Sequence, residues 1–125
     1  MMDEYRKGWA LRYLREAKAE LEAARTVPYM SSSLVLESIR KARNAIYYSL
    51  GEPAFIEVLL REEAENCNPS NDSILRFLVE LESVVQQLSQ IEEVNGEAMM
   101  NQADALVKVA TDIVETFTEE KSSTF

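Results

Sequence analysis

LVLESIRKARNAIYYSL, residues 34–50, decides the fold. Val35, Ile39, Ala42, Ile46 and Ser49 recur at steps of four, three, four and three. That spacing keeps them on one stripe of an α-helix, and a largely apolar stripe has to face a core. Arg40, Arg43 and Tyr47 form a second stripe beside it. The stretch therefore reads as a central helix against which the rest of the chain packs.

Upstream, residues 3–25 read as a long first helix. Ala10, Leu14, Ala17, Leu21 and Ala24 repeat with the same four-three alternation, and the alanines let a neighbouring helix approach closely. Tyr5, Trp9 and Tyr13 make an aromatic row at i,i+4 steps, offset from that stripe. Two apolar faces on one helix suggest two neighbours, the core and a second subunit. Pro28 ends this helix. Ser31, Ser32 and Ser33 offer N-caps for the next.

Downstream, Gly51 suits a left-handed helix stop, and Pro53 suits the first turn of a short helix over 53–64, with Phe55, Val58, Leu59 and Glu62 marking its faces. NCNPSND, residues 66–72, is the strongest loop signal. A helix over 73–92 then presents Ile74, Phe77, Leu78, Leu81, Val84, Val85, Leu88 and Ile91 as a wide apolar face. Asn95 can cap a last helix over 97–118, where Met99, Ala103, Leu106, Ala110, Ile113 and Phe117 form a heptad-like seam. Residues 119–125 lack periodicity and read as a frayed tail. β-branched residues fall at helical spacing throughout. The expected fold is all-α: one domain over 1–125, an antiparallel up-down bundle of four long helices and one short one.

Composition bounds function. The 125 residues carry a net charge of −9 and no histidine. Without imidazole there is no Ser-His-Asp or Cys-His nucleophile, no His-ligated zinc and no Glu-x-x-His di-iron site. The one cysteine, Cys67, forms no internal disulfide; flanking acids would raise its pKa, so it reads as a spare thiol. No apolar run approaches the roughly 20 residues that cross a bilayer, and no secretory signal opens the chain, so a cytoplasmic location is expected. Residues 1–50 hold nine basic and six acidic side chains (+3), and residues 51–125 four and sixteen (−12). Overall acidity speaks against general nucleic-acid binding, and the two halves attract each other, within one chain or between copies.

Two motifs resemble those of a known group. WALRYLREAKAELEAAR (9–25) and LESIRKARNAIYYSLGEP (36–53) are similar to the first helical hairpin of HEPN domains, with spaced alanines on the first helix and Leu-Gly closing the second. The resemblance implies a compact, often dimeric bundle. Many members are ribonucleases, and others partner nucleotidyltransferases. The nucleases use an Arg followed within two helical turns by His. Here Arg43 is followed by Tyr48 in the place of that His, which speaks against ribonuclease activity.

Candidate sites follow. Arg40, Lys41 and Arg43, with Tyr47 and Tyr48 one turn on, are the best anion- or nucleotide-binding set: guanidinium groups grip phosphate and tyrosines stack on bases. The alternative is that they pair with acids of the later helices and pack in the core. Tyr5, Trp9 and Tyr13 are candidates for an interface. Glu62 and Glu65 give half of the carboxylate set of a magnesium-dependent pyrophosphohydrolase, and the Glu-x-x-Asp half is missing. The reading is a non-catalytic, self-associating accessory protein, a homodimer beside a nucleotidyltransferase-type partner, with no metal and no cofactor. The alternative is a nucleotide- or RNA-acting enzyme using Arg40, Arg43 and Tyr48.

Overall fold

The computed structural model describes residues 4–27, 31–65, 73–90 and 96–118. They form five helices, α1 (Glu4–Thr26), α2 (Ser31–Leu50), α3 (Pro53–Glu65), α4 (Ser73–Gln90) and α5 (Gly96–Thr118). No strand occurs among the described residues, and the fold is an all-α helical bundle. Pro28, the loop carrying Cys67, Asn95, Ile91 and the tail lie outside the described residues, as does the side chain of Leu88.

α2 touches every other helix. Its stripe, Val35, Ile39, Ala42, Ile46 and Ser49, is buried throughout, and so is the α1 stripe from Ala10 to Ala24. Burying each large member, such as Leu14 or Ile46, contributes about 1.5–3 kcal/mol. Two further α2 residues, Ser38 and Ala45, are buried as well. Ser38 donates its hydroxyl to the Ala17 carbonyl oxygen at 2.7 Å, which satisfies a polar group that has no access to water.

α1 and α2 run antiparallel: Arg6 near the start of α1 reaches Tyr48 and Ser49 near the end of α2, and Lys41 reaches Glu20. Arg6 donates from Nε to the Tyr48 carbonyl at 3.1 Å and from Nη2 to the Ser49 carbonyl at 3.3 Å. A cation there meets carbonyls that the helix leaves open at its C-terminal end. Arg25 at the end of α1 pairs with Asp104 in α5, which therefore runs back along α1.

The ends of α2 differ from the sequence expectation. The helix begins at Ser31, so the three serines occupy its first turn. Gly51 closes α2 by donating its N–H to the Tyr47 carbonyl at 2.9 Å, yet its φ is not left-handed. A Cβ there would stand 3.3 Å from Ile56 Cδ1, a tight contact with the far end of a side chain. Pro53 does open α3, as expected.

The buried faces of α3 and α5 are rotated from the pattern, and that of α4 covers only part of it. α3 buries Ile56 and Leu60, while Phe55 and Val58 are exposed. α4 buries Leu78, Leu81 and Val85 and leaves Ile74 and Val84 exposed. α5 buries Met99, Ala103, Val107, Ala110, Val114 and Thr118; Leu106 and Ile113 lie at the edge and Phe117 is 46% exposed. Each of these helices has an apolar arc wider than the contact available to it, so its neighbours choose which part is covered.

α1, α2 and α5 pack mutually, and α4 rests on α2 and α3. Among the described residues α4 makes no close backbone approach to α5.

Candidate functional site

Arg40, Lys41 and Arg43 sit on α2, where each residue turns the helix by about 100°, so they are sent to different neighbours. Arg40 pairs with Glu37 of its own helix at 3.6 Å. Lys41 turns to α1, where Glu20 takes its ammonium and Glu16 lies at 3.6 Å. The hydrogen bond to Glu20 raises the Lys41 pKa, against the opposing effect of burial.

Arg43 and Tyr47 turn to α4 and converge on Glu82. Arg43 Nη1 donates to the two carboxylate oxygens at 3.3 and 3.4 Å, the Tyr47 hydroxyl donates at 2.7 Å, and Gln86 Nε2 donates at 3.1 Å. The Arg43 guanidinium also lies 6.0 Å from the Tyr47 ring centroid. Burial alone would lift the Glu82 carboxyl. The hydrogen bonds from Tyr47 and Gln86 and the charge of Arg43 outweigh it and hold the carboxyl below its ordinary value. Burial first, then the bond to Glu82, pushes the Tyr47 phenol well above its usual range. A phenol so placed keeps its proton and acts as a hydrogen-bond donor.

Tyr48 faces the opposite way, into the aromatic row of α1. Its ring stacks on Tyr13 at 5.7 Å between centroids and on Trp9 at 6.1 Å. Trp9 meets Tyr13 at 5.6 Å and Tyr5 edge-on at 6.4 Å. Arg12 lies 5.0 Å over the Trp9 ring. Trp9, Tyr13 and Tyr48 are half-buried in this stack, and Tyr5 is 64% exposed at its end. The expected row of three is thus a cluster of four. The signal for the fourth member is the pair of tyrosines at the end of α2, since an antiparallel hairpin brings that end to the start of α1.

The five residues of the anion-binding set are therefore divided among three directions: Arg43 and Tyr47 at α4, Lys41 and Tyr48 at α1, and Arg40 along α2 itself. Glu62 and Glu65 are both exposed on α3. No group of three or more acidic or cysteine side chains that could hold a metal ion occurs among the described residues. Likewise, no described helix is long and apolar enough to cross a membrane.

Two features escape sequence reasoning. One is Glu82, whose signal is an acid at the edge of the apolar arc of α4, between Leu78 and Val85. The other is a cleft of about 320 Å³ between α4 and α5. Ile39 of α2 contributes to it, Phe77, Leu81 and Val84 line the α4 side, and Leu106 and Val109 line the α5 side. No periodicity announces it, because it arises from the gap between two helices.

No protein-family model, curated protein or solved structure matches this chain.

Proposed function

We propose that this chain is a non-catalytic helical-bundle protein of the cytoplasm that self-associates and serves as an accessory to another protein. The observation that carries the reading is the disposition of its polar and apolar groups. The cations best suited to gripping phosphate face acids of the same fold: Arg43 with Glu82, Lys41 with Glu20, Arg40 with Glu37. The Tyr47 hydroxyl is engaged by the same Glu82. Apolar side chains, by contrast, remain open to solvent at Tyr5, Val84, Val109 and Phe117. Surface of that kind suits association with another protein surface. The HEPN resemblance adds the nucleotidyltransferase class as the partner it implies.

Light scattering on the purified chain tests the reading. The expected mass at micromolar concentration is twice the 14.2 kDa of one chain. A single-chain mass across that range sinks self-association. Salt-sensitive nucleotide or RNA binding that Arg43→Ala abolishes would overturn the non-catalytic accessory role in favour of a nucleotide-acting one.

A further inference from the structure

We infer that the cleft between α4 and α5 is a binding site for a small amphiphilic cation, a molecule with an apolar body and one protonated amine. This goes beyond the self-association reading, and the exposed Tyr5 and Phe117 on which that reading also draws lie outside the cleft.

The size of the cleft sets the size of the occupant. Ile39 of α2 lies at the floor and is only 1% exposed. Phe77, Leu81 and Val84 form one apolar wall, and Leu106 and Val109 belong to the other. The lining runs over residues 77–84 of α4 and 102–109 of α5. Seven residue steps make each wall about 10 Å long. The volume of about 320 Å³ lies at the small end of the range for ligand clefts, and gaps between the helices of a bundle are among the places where such clefts form. One turn of a docked helix, about 10 Å across and 5.4 Å long, takes about 420 Å³. The cleft holds less than that, so a compact molecule fills it and a helix does not.

The polar lining sets the charge of the occupant. Glu80 and Gln102, both exposed, contribute one polar side chain from each helix, and Glu80 is the one charged group in the lining among the described residues. No base pairs with Glu80 among those residues. Residues 51–125, which supply both walls, carry four basic and sixteen acidic side chains, so the surrounding field is negative. An ammonium group gains from that field and can donate a charge-assisted hydrogen bond to the Glu80 carboxylate. The Gln102 amide oxygen can accept another of its N–H groups. An anion is repelled by the same field, and a neutral molecule leaves the carboxylate unused.

Titration of the isotope-labelled chain with phenylbutylamine, phenylbutanol and phenylbutyrate, followed by amide NMR shifts, tests the site. The three probes share one apolar body and differ in charge. The amine is expected to shift signals within 77–84 and 102–109 with a Kd below about 1 mM. The alcohol and the carboxylate are expected to bind at least about tenfold more weakly, the size of one charge-assisted hydrogen bond at an open site. Glu80→Gln should bring the amine down to the level of the alcohol. Ala105→Trp, at an exposed position lining the cleft, should fill it and block binding. The Glu80 arm changes one exposed polar group and stands even if Ala105→Trp fails to fold. Equal binding of amine and carboxylate, amine binding that survives both substitutions, or no shift with any probe overturns the site. So does a helical Leu/Lys peptide that shifts these residues where the three probes do not, since it puts a partner helix in the cleft. Light scattering on the same samples keeps the result apart from self-association: a monomer that binds the amine retains the site, and a dimer that does not bind it loses the site.

Discussion

α1 and α4 both pack on α2, and they do so with different materials. α1 buries alanine at Ala10, Ala17 and Ala24, and α2 buries Ala42, Ala45 and Ser38. Small side chains let two backbones approach closely along their whole length. α4 instead offers Leu78, Leu81 and Val85, with Glu82 tied to Arg43 and Tyr47 beside them. Bulkier side chains line the α4 contact, and among the described residues the other close backbone approach of α4 is to the short α3. One helix thus anchors two neighbours with very different security. The α1/α2/α5 group is a core in its own right, and α4 is held to it by a few large contacts and one charged knot. Among the described residues, apolar surface is left over between α4 and α5 at Val84 and Val109.

Ile46→Ala probes the secure side and carries the largest expected effect. Ile46 is fully buried on α2, and its truncation is expected to lower stability by about 2–5 kcal/mol in urea unfolding. A loss under about 1 kcal/mol would mean that the α2 stripe is not the centre of the core.

Glu82→Ala probes the α4 side. It leaves Arg43 and the Tyr47 hydroxyl without their acceptor at a partly buried site, so a loss of about 1–3 kcal/mol is expected. Amide hydrogen exchange should locate it, with protection falling in α4 and holding in α1. Equal loss in both helices would erase the distinction between the two regions.

pH sharpens the same point. Because the folded Glu82 pKa is depressed, its contribution is present above the ordinary value of 4.5 and drains as pH falls from there through the folded value. Tyr47 has the opposite sign. Its folded pKa is raised, so its contribution holds up to the ordinary value of 10.0 and is lost as pH rises beyond it. Thermal midpoints across pH should show Glu82→Gln with a shallower acid limb and Tyr47→Phe with a shallower alkaline limb. Limbs as steep as wild type would mean that neither group couples its titration to folding.

The smallest effect is expected at Arg25→Ala. Its bridge to Asp104 joins α1 to α5 at a site where both side chains are well exposed. Solvent screening limits such a pair to about 0–1 kcal/mol, and urea unfolding should show no more.

The α1 and α2 stripes are legible in the residues alone because Ala10 to Ala24 and Val35 to Ser49 each hold one four-three register, and both registers are buried along their whole length. The α5 seam reads a few tens of degrees away from the face that is buried. Leu106, Ile113 and Phe117 are as apolar as Val107 and Val114, and Thr118 gives no hint that it is the buried one. For the candidate site, the residue types are legible and their directions are not. Arg43 can be named from the sequence, whereas its meeting with Glu82 depends on where α4 settles.

Local periodicity, the absence of histidine and the uneven charge determined by themselves that this is an all-α protein, where its helices lie and which chemistries its side chains do not support. Only the tertiary structure decided which acid meets which base, which edge of each wide apolar arc is covered, and that α4 stands away from α5. The reason is physical: a helix's face is encoded along its own few turns, while the partner covering that face is set by distances between segments far apart in the chain.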